Sequence, residues 1–317
     1  MADGHVGLIG LGSMGRGMGK NILKHGFALT VYDANLAAVE PLQLLGAEAV
    51  DTPRAVAERS DIVVTVLPNG PDVEAVALGA AGIVEGARPG SIVMDCSTIA
   101  PAASLAVGKA LAARGLRMVD AGMGRSSKEA DEGRLLFMVG AEPADFTAVK
   151  AVLDAMGSDV FHVGPPGHGI TLKLVHNMLS LTMLAASVEA MVLAAKAGLD
   201  LRRTLEVLQA STTGHGHLRL TIPDQVLTGD YTPGFRVALG QKDLRLGHEL
   251  ATDLGVPLQT LALTGELYTA AVARGRGDLS HGAIATVLEE IVGLRLADIA
   301  AQQADALKGR RAKGLTG

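Results

Sequence analysis

Gly10-Leu11-Gly12-Ser13-Met14-Gly15 follows directly on the apolar run His5–Ile9 and leads into an amphipathic stretch ending near His25. Glycines at these three positions permit a tight turn, close approach of backbone to a pyrophosphate and close packing of the next helix. The helix N-terminus offers free N–H groups and positive potential to phosphates. Asp33 closes the next apolar run, Ala28–Tyr32, about twenty residues on, where a ribose 2′-hydroxyl would be held. A carboxylate there accepts from a 2′-hydroxyl and repels a 2′-phosphate. Tyr32-Asp33-Ala34-Asn35-Leu36 holds no arginine, so the pattern favours NAD over NADP. Asp33 is also a good N-cap for the segment after it, and the two roles are compatible.

Two further constellations could do chemistry on a substrate. Lys173 and Asn177, four apart in Gly169-Ile-Thr-Leu-Lys173-Leu-Val-His176-Asn177, share one face of a helix. Among Leu172, Leu174, Val175 and Leu181, desolvation would tune the lysine towards proton transfer near neutral pH. A lysine that merely snorkels from an apolar helix is the commoner use of such a pattern. Arg125, in Asp120-Ala-Gly-Met-Gly124-Arg125-Ser126-Ser127, follows an apolar run on the side of an open α/β sheet where ligands bind. A guanidinium in that glycine- and hydroxyl-rich loop suits a bidentate grip on carboxylate or sulfonate. A surface pair with Glu129 or Asp131 suits it equally well.

The elements that must position these residues change character along the chain. Strands are expected at His5–Ile9, Ala28–Tyr32, Ile62–Val66, Ser91–Met94 and Arg117–Val119, with Leu135–Val139 and Val160–Val163 as an edge pair. Amphipathic helical stretches alternate with them, which predicts a doubly wound, mostly parallel α/β sheet. After Gly164-Pro-Pro-Gly-His-Gly169 helical periodicity takes over, so an all-α domain follows, joined through a long interdomain helix of about residues 168–197. The expected division is 1–164, 165–306 and a solvated basic tail over 307–317, with Lys308, Arg310, Arg311 and Lys313. Leu174–Val188, flanked by Lys173 and Glu189 and carrying His176 and Asn177, is expected to be a buried helix short of a membrane span.

Composition narrows the function classes. The 317 residues are 48% hydrophobic, 19% charged and 3% aromatic, which excludes disordered, collagen-like and coiled-coil chains. A net charge of −5 gives no broad basic surface for nucleic acid. Cys96 alone cannot form an internal disulfide, and the glycine-punctuated start lacks a basic signal-peptide region, so a cytoplasmic protein is expected. The apolar helices offer more surface than one small domain covers, which predicts a homo-oligomer, dimer or tetramer.

With Asp95-Cys-Ser-Thr-Ile99, Met138-Val-Gly140 and Lys242-Asp243, these motifs fall in an order that resembles the β-hydroxyacid dehydrogenases over almost the whole chain. The resemblance implies a Rossmann domain plus a helical domain, and oxidation or formation of small hydroxy compounds with NAD and no metal. It implies that Lys173 protonates the carbonyl oxygen as hydride arrives and acts as base in reverse, and that Asn177 orients it or the substrate. Ser97 and Thr98 would lie beside the nicotinamide and Leu67 and Pro68 beside the adenosine half. Lys242, with Asp243 as its partner, would lie near cofactor and substrate.

One departure bears on the substrate. Most of the family reads Asp-Ala-Pro-Val-Ser-Gly-Gly where this chain reads Asp120-Ala-Gly-Met-Gly-Arg-Ser126. Gly124-Arg125-Ser126-Ser127 is instead similar to the loop of a subgroup in which arginine grips the sulfonate of 3-sulfolactaldehyde. A short anionic aldehyde is therefore the expected substrate, with the carboxylates succinic semialdehyde and the 3-hydroxyisobutyrate pair still open. His176 stands where a substrate-binding asparagine is expected, and is either a substrate contact or a satisfied helix histidine. Ser180, one turn beyond Asn177, is a further substrate candidate. A non-catalytic NAD(P)-binding module would have no need of Lys173.

Overall fold

Eight strands form one sheet in the computed structural model, which describes residues 4–214, 216–253 and 255–312. They are β1 (His5–Ile9), β2 (Ala28–Tyr32), β3 (Glu48–Ala49), β4 (Ile62–Thr65), β5 (Ile92–Asp95), β6 (Arg117–Gly124), β7 (Leu135–Gly140) and β8 (Gly157–Gly164). Their order is β3-β2-β1-β4-β5-β6-β7-β8. All neighbours run parallel except β6 and β7. Strand order reverses between β1 and β4, the switch point at whose carboxyl ends a doubly wound sheet opens a crevice.

Connecting helices are α1 (Ser13–Lys24), α2 (Glu40–Gln43), α3 (Pro53–Arg59), α4 (Gly70–Leu78), α5 (Pro101–Ala112), α6 (Ser127–Asp131) and α7 (Pro143–Met156). Proline occupies the first or second position of α3, α4, α5 and α7, where its missing N–H costs no helical bond. The central strands read as unbroken apolar runs because both faces are covered. Leu8, Val64 and Met94 pack on one side of the sheet, Ile9, Val63 and Val93 on the other.

Most expected strands stand within a residue or two of their predicted bounds. The main differences are that β6 continues past Val119 to Gly124 and that the two-residue β3 had no apolar run to announce it. The glycine-rich Ala121–Gly124 stretch has little strand preference of its own. Antiparallel pairing with β7, from Asp120↔Gly140 to Gly124↔Leu136, supplies the ladder.

The long helix α8 spans His168–Lys196. The chain divides into two compact units, Met1–Leu179 and Ser180–Gly317, the division falling within α8. The second unit is helical among its described residues, with α9 (Leu201–Ala210), a wide i→i+5 turn over His217–Val226, α10 (Val237–Asp253), α11 (Gln259–Ala273), α12 (Ala285–Val292) and α13 (Leu296–Ala312). Val237, Ala271, Ala283 and Val287 form one small core. The basic tail is helical through Ala312, where Lys308 pairs with Asp305 at 3.4 Å; residues 313–317 lie outside the described part.

Two expectations for α8 are corrected. Its apolar side chains are largely exposed, Met178 by 63% and Leu181 by 66%, so it is not a buried helix in the single chain. A helix apolar all round has no single stripe to bury, and packing in one chain leaves the rest uncovered. By length and composition alone it is also long and apolar enough to cross a membrane, one 18-residue window within it reaching a mean hydropathy of 1.8. Its first turn is nonetheless bonded to the Rossmann-type sheet through Asp120.

Candidate active site

β1 delivers the chain into the glycine loop. Gly10 has φ 93°, and a Cβ on it would collide with the Val66 carbonyl beyond β4. A Cβ on Gly15 would collide with the Gly10 carbonyl, which fixes how closely α1 approaches the loop. Gly12 differs, because nothing lies within 4 Å of where its Cβ would be. No side chain caps the N-terminus of α1. The loop therefore presents open backbone and an uncapped helix end, the donor set a pyrophosphate requires.

Asp33, directly after β2, accepts from the Leu11 N–H at 2.6 Å through one carboxylate oxygen and from the Asn35 N–H at 2.7 Å through the other. It ties the glycine loop to the end of β2 while each oxygen keeps a lone pair for a ribose hydroxyl. Leu11 contributes only its backbone, since its side chain is buried. A cavity of about 730 Å³ is lined by Gly10, Gly12, Ser13, Asp33, Leu67 and Pro68, among others that include Met14 and Gly15. Its size, glycine floor and carboxylate fit a dinucleotide's adenosine half.

The neighbouring loops are held by a network not anticipated from sequence. The Asp95 carboxylate, buried at the end of β5, accepts from the Thr65 hydroxyl at 2.8 Å and the Ser97 N–H at 3.0 Å. Ser97 Oγ accepts in turn from the Leu67 N–H at 2.9 Å. Burial pushes the Asp95 carboxyl up, and the Ser97 and Thr65 bonds pull it back. Ser97 is buried and holds the loop, while Thr98 is exposed.

Lys173 stands in the second turn of α8, half-buried, and desolvation lowers its ammonium pKa. A Cβ on Gly122 would lie 2.6 Å from Lys173 Cβ, so the lysine backs onto a strand that only glycine lets it reach. Asn177, also half-buried, lies one turn on, and its Oδ1 meets His176 Nδ1 at 3.2 Å. His176 and Ser180 are exposed.

The substrate-loop residues are arranged differently from expectation. Gly124 closes β6, and Ser126 caps α6 in a reciprocal box with Glu129. Those bonds hold the Glu129 carboxyl at about 2. Arg125 is the one non-glycine residue at positive φ, 74°, among the described residues. Its guanidinium donates to the Arg134 carbonyl at 2.5 Å, Ser158 Oγ at 2.7 Å and Asp159 Oδ2 at 2.6 Å. Neither Glu129 nor Asp131 is its partner; Asp131 pairs with Lys20 at 3.0 Å. The structure thus brings Lys173 against Gly122, with Asn177 one turn further along the same helix, while the Arg125 head group is held at the start of β7 and β8.

Lys242 belongs to the second unit, where with Arg245, His248 and Glu266 it lines a cavity of about 570 Å³ between α10 and α11. The side chain of Asp243 lies outside the described residues. Among the described residues no three His, Cys, Asp or Glu side chains cluster to hold a metal ion.

Two family models match successive parts of the chain. Residues 5–164 match the NAD binding domain of 6-phosphogluconate dehydrogenase, and residues 167–288 the NAD-binding model of NADP-dependent 3-hydroxyisobutyrate dehydrogenase. The 3-sulfolactaldehyde reductase of Escherichia coli K12 is 36% identical, covering 88% of this chain and 94% of that protein. The 2-(hydroxymethyl)glutarate dehydrogenase of Eubacterium barkeri is 34% identical, covering 91% and 96%. The solved 3-hydroxyisobutyrate dehydrogenase of Mycobacterium tuberculosis, with L-serine, is 26% identical, covering 90% and 99% at a TM-score of 0.63. The two family models together span most of the chain and relatives more than 30% identical cover about nine tenths of it, so the chain belongs to the β-hydroxyacid dehydrogenase family of NAD-dependent oxidoreductases.

Proposed function

We propose that the chain reversibly reduces a short anionic aldehyde to its alcohol, with 3-sulfolactaldehyde and 2,3-dihydroxypropane-1-sulfonate as the pair. The observation that carries this is Lys173, half-buried against Gly122 with its ammonium desolvated, in the same unit as the dinucleotide cradle. NADH, when bound, supplies the hydride to the carbonyl carbon. Lys173 Nζ gives its proton to the carbonyl oxygen and recovers it from the alcohol in reverse. Asn177 orients the lysine or the substrate, and His176 and Ser180 contact the substrate from the same helix. Gly10, Leu11, Gly12, Ser13, Met14, Gly15 and Asp33 hold the dinucleotide with Leu67 and Pro68. Ser97 and Thr98 flank its nicotinamide, and Lys242 is a further cofactor-binding residue.

The sulfonate assignment rests on the Gly124-Arg125-Ser126 loop and on likeness to the sulfolactaldehyde reductase. For Arg125 to grip a substrate anion its guanidinium exchanges the Asp159 carboxylate for that anion. The bridge favours a second reading, in which Arg125 only braces the loop and a carboxylate aldehyde is held by other groups. Initial rates of NADH oxidation with 3-sulfolactaldehyde, succinic semialdehyde and methylmalonate semialdehyde, on wild type and Arg125→Ala, separate the two. The sulfonate reading requires a wild-type preference for 3-sulfolactaldehyde and a KM raised roughly ten- to a hundredfold by the substitution, the 1.5–3 kcal/mol of a charged hydrogen bond. An indifferent Arg125→Ala leaves only the second reading.

We also propose a cytoplasmic homo-oligomer. The buried lone thiol Cys96 supports a reducing compartment, and the exposed apolar length of α8 supports self-association. Sedimentation equilibrium should give a dimer or tetramer at micromolar concentration; a monomer would rule the association out.

A further inference from the structure

We infer that Asp120 is the positioning residue for Lys173: its buried carboxylate fixes the first turn of the lysine helix against β6, and so sets where the ammonium stands. This deepens the proposed role of Lys173 and rests on it. Asp120 lies on β6 between Asp95 of β5 and Gly140 of β7 in register, and is 3% exposed. One carboxylate oxygen accepts from the Gly167 N–H at 2.5 Å and the other from the Ile170 N–H at 2.6 Å. These partners bracket the start of α8, and Lys173 follows Ile170 by three residues, nearly one turn. A carboxylate at a helix N-terminus also complements the helix dipole, so the clamp is directional as well as bonded.

Three glycines let the helix come this close. A Cβ on Gly140 would lie 2.5 Å from Asp120 Oδ2, and one on Gly169 would lie 2.5 Å from the Met138 carbonyl and 2.6 Å from that of Asp120. A Cβ on Gly122, two residues beyond Asp120 on the same face of β6, would lie 2.6 Å from Lys173 Cβ. The carboxylate sets the helix end and Gly122 sets the distance of the lysine from the strand. Two independent contacts therefore converge on one side chain.

Asp120→Asn and Gly122→Ala test this. The asparagine turns its NH2 towards one of the two N–H groups, donor against donor, and frees the first turn. The alanine leaves Asp120 and its bonds intact but forces Lys173 Cβ out towards an ordinary carbon contact of about 3.5 Å. Full-length variants are assayed with whichever aldehyde of the panel wild type reduces fastest, and NADH binding is followed by nicotinamide fluorescence. Each variant is expected to lose kcat by about 10²-fold, the scale of an ångström's misplacement of a reacting group, with KM and NADH affinity within twofold of wild type. Loss of NADH affinity in parallel with kcat in both variants would mark general disruption and overturn the proposal, as would unchanged kcat in either. If Lys173→Ala retains turnover, the lysine assignment fails and the positioning role with it; if that variant is inactive while the other two are normal, only the positioning role fails.

Discussion

Lys173→Ala should lose about 10²–10⁴-fold in kcat, the usual contribution of a positioned acid or base, while binding NADH within twofold of wild type. The split follows from where the groups are. The dinucleotide cradle is built on β1, β2 and the turn after β4, and none of the residues that line it belongs to α8. Lys173→Arg should be nearly as inactive, because a guanidinium keeps its proton throughout the accessible pH range and cannot serve as the base. The pH profile carries the sign. In reduction the ammonium is the working form, so kcat falls as pH rises through the Lys173 pKa. In oxidation the neutral amine works, so kcat rises over the same window. Desolvation holds that pKa below the ordinary lysine value, so the wild-type limb should stand below 10.5 and vanish in the alanine variant. Turnover retained in Lys173→Ala would remove the lysine from the chemistry.

How far this site was legible in the sequence depends on the range of its interactions. The glycine loop and Asp33 are set by spacings within one βαβ unit and stand out locally, whereas Lys173 and Asn177 are read by periodicity only as sharing a helix face, and their proposed roles come from the family resemblance. Asp120 was visible only as the head of a loop, because the N–H groups it binds belong to residues 47 and 50 positions later. The Arg125 bridge likewise joins residues 34 apart, and local reasoning offered it Glu129 and Asp131, which Ser126 and Lys20 engage instead. Among the elements, β1, β2 and β4 are continuous apolar runs buried on both faces and announce themselves. The last part of β6 is glycine-rich and becomes strand only because β7 pairs with it. The exposure of α8 could not be read from its composition, since an all-apolar helix looks the same whether its own chain or a partner covers it.

Gly12→Ala should abolish measurable NADH binding, raising Kd by about 10²-fold or more, without lowering Tm. Gly12 has φ −61°, which any residue adopts, and its Cβ would meet no protein atom within 4 Å, so the folded chain itself accepts alanine there. The new methyl would occupy the space through which the loop backbone approaches a pyrophosphate, and every phosphate hydrogen bond it prevents is a charge-assisted one of about 1.5–3 kcal/mol. Gly10→Ala makes the contrast. There φ is 93° and the Cβ runs into the Val66 carbonyl, so strain of about 1–3 kcal/mol lowers Tm together with affinity. Thermal melts and NADH titrations on the pair therefore separate a glycine kept for the ligand from one kept for the turn. If Gly12→Ala binds NADH normally, the phosphates do not pass over residue 12. If it instead lowers Tm as Gly10→Ala does, residue 12 is required by the fold and not by the dinucleotide.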